Sequence, residues 1–262
     1  MDGDDEFARE VALGPRAALD RLAFLIAREA TPTLDVDAER RRLDDLAADF
    51  GAGTASELMG WLAIRGFRGN ASAYYEPENS FLDRVIDRRL GIPITLSVLA
   101  IELGRRCGVE LVGIGLPGEF IVAERDQPDR FHNPFRHRSM TPAEVTDLVR
   151  RFAGPEATLT PDMVQPVPPV AIAARMLANL AHIYGHTDRP ADLAWVLRLQ
   201  SALPGSPPSV RRRLVATLAD LGRFWDASEV LVDLMSDPAV RPGRDEREAD
   251  EAMLRRLRGH FN

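Results

Sequence analysis

The stretch that decides the fold is "GIPITLSVLAIELGRRCGVELVGIGLPGEFIVAER", residues 91–125. Pro93 suits the first turn of a helix, because a backbone N–H at that position would have no partner inside the helix. Apolar residues then lie on most sides of the predicted helix, which is typical of a helix buried within a domain. Two strand-like runs follow at residues 109–115 and 119–124, joined by a tight Leu-Pro-Gly turn. The stretch therefore predicts a buried helix followed by a β-hairpin.

Helices precede this stretch, and a third strand follows it. Apolar residues recur at helical spacing from residue 16 to residue 50, with a break at Thr31-Pro32 that divides the run into two helices. Thr54 and Glu57 form the pattern of a capping box, which predicts the start of a third helix. A further helix is expected over residues 80–89, and a strand over residues 130–133. The predicted first domain is thus rich in helices before its small sheet begins.

Composition and charge exclude several classes of function. The formal charge is −7, which argues against nucleic acid or an anionic membrane surface as the main partner. Cys107 is the chain's one cysteine, so no intramolecular disulfide and no thiolate metal cluster can form. The N-terminal "MDGDDEFARE" is acidic where a secretory signal would be basic, and no apolar run is long enough to span a bilayer. We therefore expect a soluble cytoplasmic protein.

The C-terminal part of the chain shows an internal repeat. Residues 164–169 are rich in proline and are expected to form a linker. Beyond them, Val196-Leu197 and Pro204 recur as Val230-Leu231 and Pro238, a period of 34 residues that matches the tetratricopeptide helix-turn-helix unit. We therefore predict two domains, residues 1–160 and residues 161–262, of which the second is an all-α domain of tetratricopeptide-like repeats.

Two short patterns have simpler explanations than the motifs they match. Residues 113–118 match the G-x-G-x-x-G dinucleotide pattern, but a strand follows them instead of a helix, so a hairpin turn is favoured. His182 and His186 have the spacing of two zinc ligands on one helix face, but the helix is expected to end at Gly185, so a solvated helix end is favoured. No metal and no cofactor are predicted.

Five motifs in series give the chain a family resemblance. They are Gly66–Asn70, Asn79-Ser80, Gly91–Ile94, Pro117-Gly118 and Asn133–Phe135. In this order they closely resemble the SirB-type transglutaminase-like domain, over roughly residues 19–141, and a tail of tetratricopeptide-like repeats is part of the same family layout. The resemblance implies an α+β fold with a papain/transglutaminase-like core, in which a buried central helix packs on a small antiparallel sheet.

The same resemblance implies a catalytic triad, which this chain lacks. It places a nucleophilic cysteine at the start of the buried helix, a histidine on the following strand and an Asp or Asn on the next. Carried over by position, these places fall at Pro93, Glu119 and Asn133. Members of the family commonly lack the cysteine yet keep the histidine, in a Pro-Gly-His-Phe motif, and an Asp before Pro-Phe. This chain departs at both places, so no catalytic residue is expected.

Glu119 has two interpretations. The favoured one is structural: the carboxylate lies over the N-terminus of the Pro93 helix, gains about 0.3 to 1 kcal/mol from the helix dipole and accepts hydrogen bonds from unpaired N–H groups. The alternative is a general base that acts on water. Glu119, Asn133, Thr95 and Asn79 are the candidate binding residues of the cleft.

Other side chains could in principle restore chemistry. Thr95 and Ser97 carry hydroxyls on the buried helix but have no evident histidine base. His132 adjoins Asn133 on a strand and should point to the opposite face, away from Glu119. Glu119 and His137 could together hold a metal ion, but two candidate ligands on separate elements are a weak signal of a metal site.

The leading hypothesis from the sequence is a non-catalytic transglutaminase-like protein that acts as a protein-interaction scaffold or regulator. Its partner would be a protein, bound through the tetratricopeptide-like domain. One alternative is a residual hydrolase or acyl-transfer enzyme that uses Glu119, with Asn133 polarising a carbonyl group. A further alternative is a sensor of peptides or small molecules that uses the cleft for binding alone.

Overall fold

A computed structural model describes residues 2–260, with side chains described from residue 6 onward. The helices are Asp2–Ala12 (α1), Leu19–Ala30 (α2), Val36–Phe50 (α3), Ala55–Ile64 (α4), Leu82–Arg88 (α5), Pro93–Cys107 (α6), Pro142–Ala153 (α7), Pro169–Gly185 (α8), Pro190–Ser201 (α9), Pro208–Asp220 (α10), Phe224–Ser236 (α11) and Arg244–Arg258 (α12). The strands are Arg68–Gly69 (β1), Leu90–Gly91 (β2), Leu111–Leu116 (β3), Glu119–Glu124 (β4), Gln127–Asn133 (β5), Arg138–Met140 (β6) and Pro166–Val167 (β7). Short 3-10 turns lie at Gly14–Arg16, Pro77–Ser80 and Pro161–Val164.

The main sheet is antiparallel and contains the predicted hairpin. Its strand order is β6-β5-β4-β3-β7, and the register of the central pair places Leu116 opposite Glu119. Gly118 has a φ of +66° in the intervening turn, a conformation that glycine adopts without a steric penalty. The hairpin interpretation of the glycine-rich pattern is therefore confirmed.

The proline-rich segment after residue 160 is part of this sheet, so its prediction as a linker was wrong. Pro166 and Val167 pair with Ile114 and Gly113 of β3 and form the strand at one edge. An edge strand tolerates proline because the missing N–H can fall on the side that faces away from the ladder. Two paired residues are too few to produce the alternation by which a strand is recognised in a sequence.

Helix α6 forms the centre of the first part of the chain, as its apolar composition predicts. Most of its residues are buried, and it packs against β3 and β4 on one side and against α3 on another. Pro93 is its first residue, and Gly108 ends it with a φ of +75°. The pairing of a proline start with a glycine stop follows the usual asymmetry of helix ends.

Two motifs that lie far apart in the sequence meet in the fold. Arg68 and Gly69 pair in parallel with Leu90 and Gly91, so β1 lies beside the residues that lead into α6. Gly69 lies directly against the ring of Phe135, which would clash with any side chain at that position. Position 69 therefore requires glycine because the backbone there lies close to an aromatic ring.

A buried charge cluster joins three helices. Asp20 of α2 is 0% exposed, and its Oδ2 lies 2.6 Å from Arg106 Nη2 and 3.1 Å from Arg40 Nε. Glu102 is also buried and pairs with Arg106 at 2.6 Å. Burial of a carboxylate is tolerated when cations and hydrogen bonds compensate it. The cluster therefore connects α2, α3 and α6 through ion pairs within the apolar core.

The chain divides into two compact units, the first ending at Met176 and the second beginning at Leu177. In the second unit, α9 packs on α10, α10 on α11 and α11 on α12. Helix α9 begins at Pro190 and α11 at Phe224, which matches the 34-residue period of the sequence. None of the helices within residues 2–260 is long and apolar enough to cross a membrane. The assignment of domains to residues 1–160 and 161–262 stays a prediction.

Candidate functional site

Glu119 is the first residue of β4 and lies half-buried at the turn of the hairpin. Its Oε1 atom is inaccessible to solvent and has no hydrogen-bond partner in the part of the chain that the structure describes. Burial raises the pKa of Glu119, against the opposing effects of the Arg136 charge, the Asn133 amide and the Arg151 charge. The carboxylate is therefore held in an environment that disfavours its ionised form.

Asn133 ends β5 and is 0% exposed. Its Oδ1 accepts a hydrogen bond of 3.1 Å from the backbone N–H of Arg136. Its Nδ2 lies beside the Glu119 carboxylate and lowers the pKa of that group, yet Nδ2 has no hydrogen-bond partner within the described residues. The contact between the two side chains therefore does not have the geometry of a full hydrogen bond, and it leaves one buried donor and one buried acceptor unsatisfied.

The prediction that helix α6 supplies hydrogen bonds to Glu119 was wrong. Within residues 6–260, the carboxylate accepts no hydrogen bond from the first turn of α6, although α6 packs against β4. Hydrogen bonds from a helix N-terminus would lower the pKa of Glu119, whereas the pKa is raised. Burial is therefore the largest effect on the pKa of this group, and it exceeds the opposing effects of Arg136, Asn133 and Arg151.

Thr95 and Asn79, the other two candidate residues, are hydrogen-bonded to each other, and neither is hydrogen-bonded to Glu119 within the described residues. Thr95 Oγ1 donates a hydrogen bond of 2.6 Å to the carbonyl oxygen of Asn79. Asn79 Nδ2 donates to the carbonyl oxygens of Ala73 and Tyr74, at 2.7 and 3.2 Å. Both side chains are 0% exposed, so in this structure they anchor the loop that precedes α5.

That loop brings a further side chain to the site. Burial, followed by the charge of Glu119, raises the pKa of Tyr74, and the charge of Arg175 opposes the rise. Arg175 of α8 donates from Nη2 to the carbonyl oxygens of Leu116 and Glu119, at 3.3 and 3.2 Å, and its guanidinium lies 5.2 Å from the ring centre of Phe120. The surroundings of the carboxylate thus include a phenol and a half-buried guanidinium.

Sequence reasoning missed Tyr74, Arg136 and Arg175 as neighbours of Glu119. Arg175 lies outside the range over which the motifs match, and Tyr74 lies in a loop whose composition carries no periodic signal. Arg136 directly follows the Asn133–Phe135 motif, which is the one local signal that could have drawn attention to it.

Pro93 lies where the family resemblance places the nucleophile, and the cysteine is distant from it. Cys107 ends the helix that Pro93 begins, so the two residues lie about 20 Å apart along its axis. The Cys107 thiol contacts the carbonyl oxygen of Ala47 at 3.3 Å, and burial raises its pKa. A thiol with a raised pKa at the far end of α6 has the properties of a packing residue and not of an activated nucleophile.

The histidines near the site point elsewhere. His132 Nε2 lies 3.1 Å from Glu124 Oε1, and its Nδ1 lies 3.0 Å from Ser139 Oγ, so the ring faces away from Glu119 as the alternation of a strand predicts. Burial lowers the pKa of His137, against a hydrogen bond with the backbone of Phe67 that raises it. The described part of the chain contains no group of three or more acidic, histidine or cysteine side chains that could hold a metal ion.

These features define an α+β protein in which a buried helix that begins at Pro93 packs on a small antiparallel sheet. The family model described as the transglutaminase-like superfamily matches residues 16–178. This range is more than half of the chain, so the chain belongs to the transglutaminase-like superfamily.

The relatives of the chain support the same family. A UPF0162 protein of Xylella fastidiosa (strain Temecula1) is 32% identical over 216 residues, which is 75% of each chain. A UPF0162 protein of Pseudomonas aeruginosa is 29% identical over 182 residues, 66% of this chain and 67% of the relative. The F-box only protein 21 of Mus musculus is 38% identical over 56 residues, 21% of this chain and 9% of that protein. No solved structure matches the chain. The narrower SirB-type grouping stays a prediction.

Proposed function

We propose that this protein is a non-catalytic member of the transglutaminase-like superfamily that acts as a protein-interaction scaffold or regulator. The observation that carries the proposal is the position of Pro93, which begins α6 where the family resemblance places the nucleophile. Proline has no atom that can attack a carbonyl group, and the cysteine of this chain lies at the opposite end of the helix. A triad without its first member cannot form a covalent intermediate.

The second unit supports a role in binding a protein partner. Its successive helix pairs, α9 with α10 and α11 with α12, follow the spacing of tetratricopeptide repeats, whose helix pairs form binding surfaces. Trp225 of α11 is 62% exposed, and tryptophan is among the residues that contribute most to protein–protein binding energy. We infer that the partner contacts the surface around Trp225.

A specific observation favours a second candidate, a hydrolase or acyl-transfer enzyme that uses Glu119. A carboxylate with a raised pKa and an unpaired oxygen is suited to general base catalysis on water, and the unpaired Nδ2 of Asn133 could polarise a carbonyl group. The same donor and acceptor would also suit a sensor that binds an amide-containing ligand without reaction, because an amide offers both complementary groups.

Turnover measurements on the full chain separate the scaffold from the enzyme. The assay offers glutamine-containing peptides, with and without a primary amine, and follows ammonia release and peptide cleavage. The scaffold predicts no turnover by the wild type or by Glu119→Gln. Turnover by the wild type that Glu119→Gln abolishes would overturn the scaffold and support the enzyme.

Partner capture tests the binding surface. The tagged full chain is cross-linked in its native host, and the proteins retained by the wild type, Trp225→Ala and Ile64→Ala are compared. Ile64 is 86% exposed on α4 and serves as a matched exposed apolar control. We expect a partner that the wild type and Ile64→Ala retain and that Trp225→Ala loses. Equal retention by all three chains would exclude the surface around Trp225.

A further inference from the structure

A cavity of about 530 Å³ lies in the first unit, and Glu119 and Asn133 do not line it. The 3-10 turn at Gly14–Arg16, helix α6, strand β3 and the segment from Pro166 to Pro169 form its walls. Its volume lies within the range of sites that bind small molecules, about 300 to 1,000 Å³. The cavity is therefore a candidate ligand site separate from the hairpin site.

The polar lining of the cavity is predominantly basic. Four arginines line it, at positions 16, 40, 105 and 125, against the two carboxylates of Glu102 and Glu110. The chain as a whole carries a formal charge of −7, so this excess of positive charge is a local feature. Converging guanidinium groups favour an anionic ligand.

Two of these arginines are held in place by acidic side chains of the charge cluster. Arg40 Nε donates a hydrogen bond of 3.1 Å to Asp20 Oδ2. Arg105 donates from Nε and Nη2 to Glu102 Oε2, at 3.1 and 2.9 Å. Within the described residues, these bonds leave both Nη groups of Arg40 and Nη1 of Arg105 without a hydrogen-bond acceptor. Guanidiniums that are already oriented lose less entropy when they bind an anion.

The other two arginines lie at the exposed rim. Arg16 makes no ion pair or hydrogen bond through its side chain in the part of the chain that the structure describes, and it is exposed. Within the described residues, the Arg125 side chain bonds only through Nε, which lies 2.8 Å from Glu110 Oε2, and both side chains are exposed. Their remaining donors are available to a ligand, and substitution of either residue removes little from the fold.

The remaining wall of the cavity is apolar. Leu111, Ile172 and Val167 line it together with Pro166 and Pro168. An inorganic anion would leave this wall in contact with water, whereas an aliphatic chain would bury apolar surface against it. The lining therefore favours a ligand with a charged end and an apolar body.

We propose that this cavity binds a small organic carboxylate with an aliphatic body. The planar fork of a guanidinium matches the two oxygens of a carboxylate, and the proline and aliphatic wall accommodates the chain. Binding at this position is independent of the function proposed for the hairpin site.

Calorimetric titration of the full chain with hexanoate, acetate and 1-hexanol tests the proposal. We expect saturable binding of hexanoate at one site, weaker binding of acetate by up to about fourfold for each methylene removed, and weaker binding of 1-hexanol. Arg16→Gln combined with Arg125→Gln should weaken hexanoate binding about tenfold. Arg41→Gln is the matched control, because Arg41 is exposed on α3 and does not line the cavity.

Several results would overturn the proposal. These are an absence of saturable hexanoate binding to the wild type, equal affinity of the double variant and Arg41→Gln, and equal affinity for acetate and hexanoate. Thermal unfolding of each variant confirms that the fold is retained, since both substituted arginines are exposed. Unchanged chemical shifts of Gly113 and Ile172 in an NMR titration would likewise exclude the cavity as the binding site.

Discussion

The carboxylate of Glu119 and the side-chain amide of Asn133 lie side by side in the sheet, and among residues 6–260 neither Oε1 of the first nor Nδ2 of the second has a hydrogen-bond partner. A buried polar atom without a partner costs about 1 to 3 kcal/mol. Two such atoms beside each other mark a position where the fold tolerates a loss of stability. Such positions are commonly associated with ligand binding.

Glu119→Gln should raise the stability of the protein at neutral pH. The folded-state pKa of Glu119 is raised, so its stabilising contribution is present below its ordinary pKa of 4.5 and is lost as the pH rises through the folded-state value. The neutral amide is free of this penalty. We expect the Tm of the variant to exceed that of the wild type by about 1 to 3 °C at neutral pH, with the difference vanishing in acid.

Glu57→Gln provides a control of opposite sign. Hydrogen bonds from the backbone and side chain of Thr54 lower the pKa of Glu57, so its contribution is present above the ordinary value of 4.5 and is lost as the pH falls. This variant should therefore unfold at a lower temperature than the wild type at neutral pH. A Tm of Glu119→Gln below that of the wild type at neutral pH would show that the carboxylate makes a stabilising contact, as the sequence predicted.

Asp20→Asn should destabilise the fold by about 3 kcal/mol, because it leaves Arg106 buried with less compensation. The Arg106 hydrogen bond and the Arg40 charge lower the pKa of Asp20 in spite of its burial. Urea unfolding measures the loss. Asp44→Asn is the control: Asp44 also pairs with Arg106, at 2.7 Å, but is exposed, so its loss should cost less than about 1 kcal/mol. Equal effects of the two variants would contradict a buried role for Asp20.

Asn79→Ala should release the loop before α5. The substitution removes the hydrogen bonds to the carbonyl oxygens of Ala73 and Tyr74 and that from Asn70, at an expected cost of about 2 kcal/mol. Hydrogen exchange of residues 70–76 should accelerate more than that of α6. Ser72→Ala removes one exposed hydroxyl of the same loop and should leave the exchange unchanged. Unchanged exchange in Asn79→Ala would show that the loop has another anchor.

Gly118→Ala should cost more stability than Gly108→Ala. Both glycines have a positive φ, +66° and +75°, so both substitutions carry a backbone penalty of about 1 kcal/mol. Gly118 also lies against the ring of Phe152, whereas a Cβ at Gly108 would meet no described atom within 4 Å. In denaturant unfolding, Gly118→Ala should be less stable than Gly108→Ala, and Phe152→Ala in the same chain should remove the difference. A persistent difference would mean that Phe152 is not the obstacle.

The elements that the sequence predicts well are those with strong local signals. Helix α6 has a proline start, a glycine stop and apolar residues on most sides, and the hairpin has a Pro-Gly turn between two apolar runs. The strand at Pro166–Val167 has no such signal, because its existence depends on pairing with Ile114 and Gly113 far back in the chain. Non-local pairing is not encoded in the periodicity of a short segment.

The sequence by itself determined that residue 93 is a proline and offers no nucleophilic side chain, because the chemistry that a side chain lacks does not depend on its surroundings. Only the tertiary structure decided the state of Glu119. The sequence predicted a carboxylate stabilised by a helix N-terminus, whereas burial, Arg136, Arg151 and Asn133 together set its pKa. These neighbours come from separate segments of the chain, and desolvation depends on how completely they enclose the group, which the order of residues does not specify.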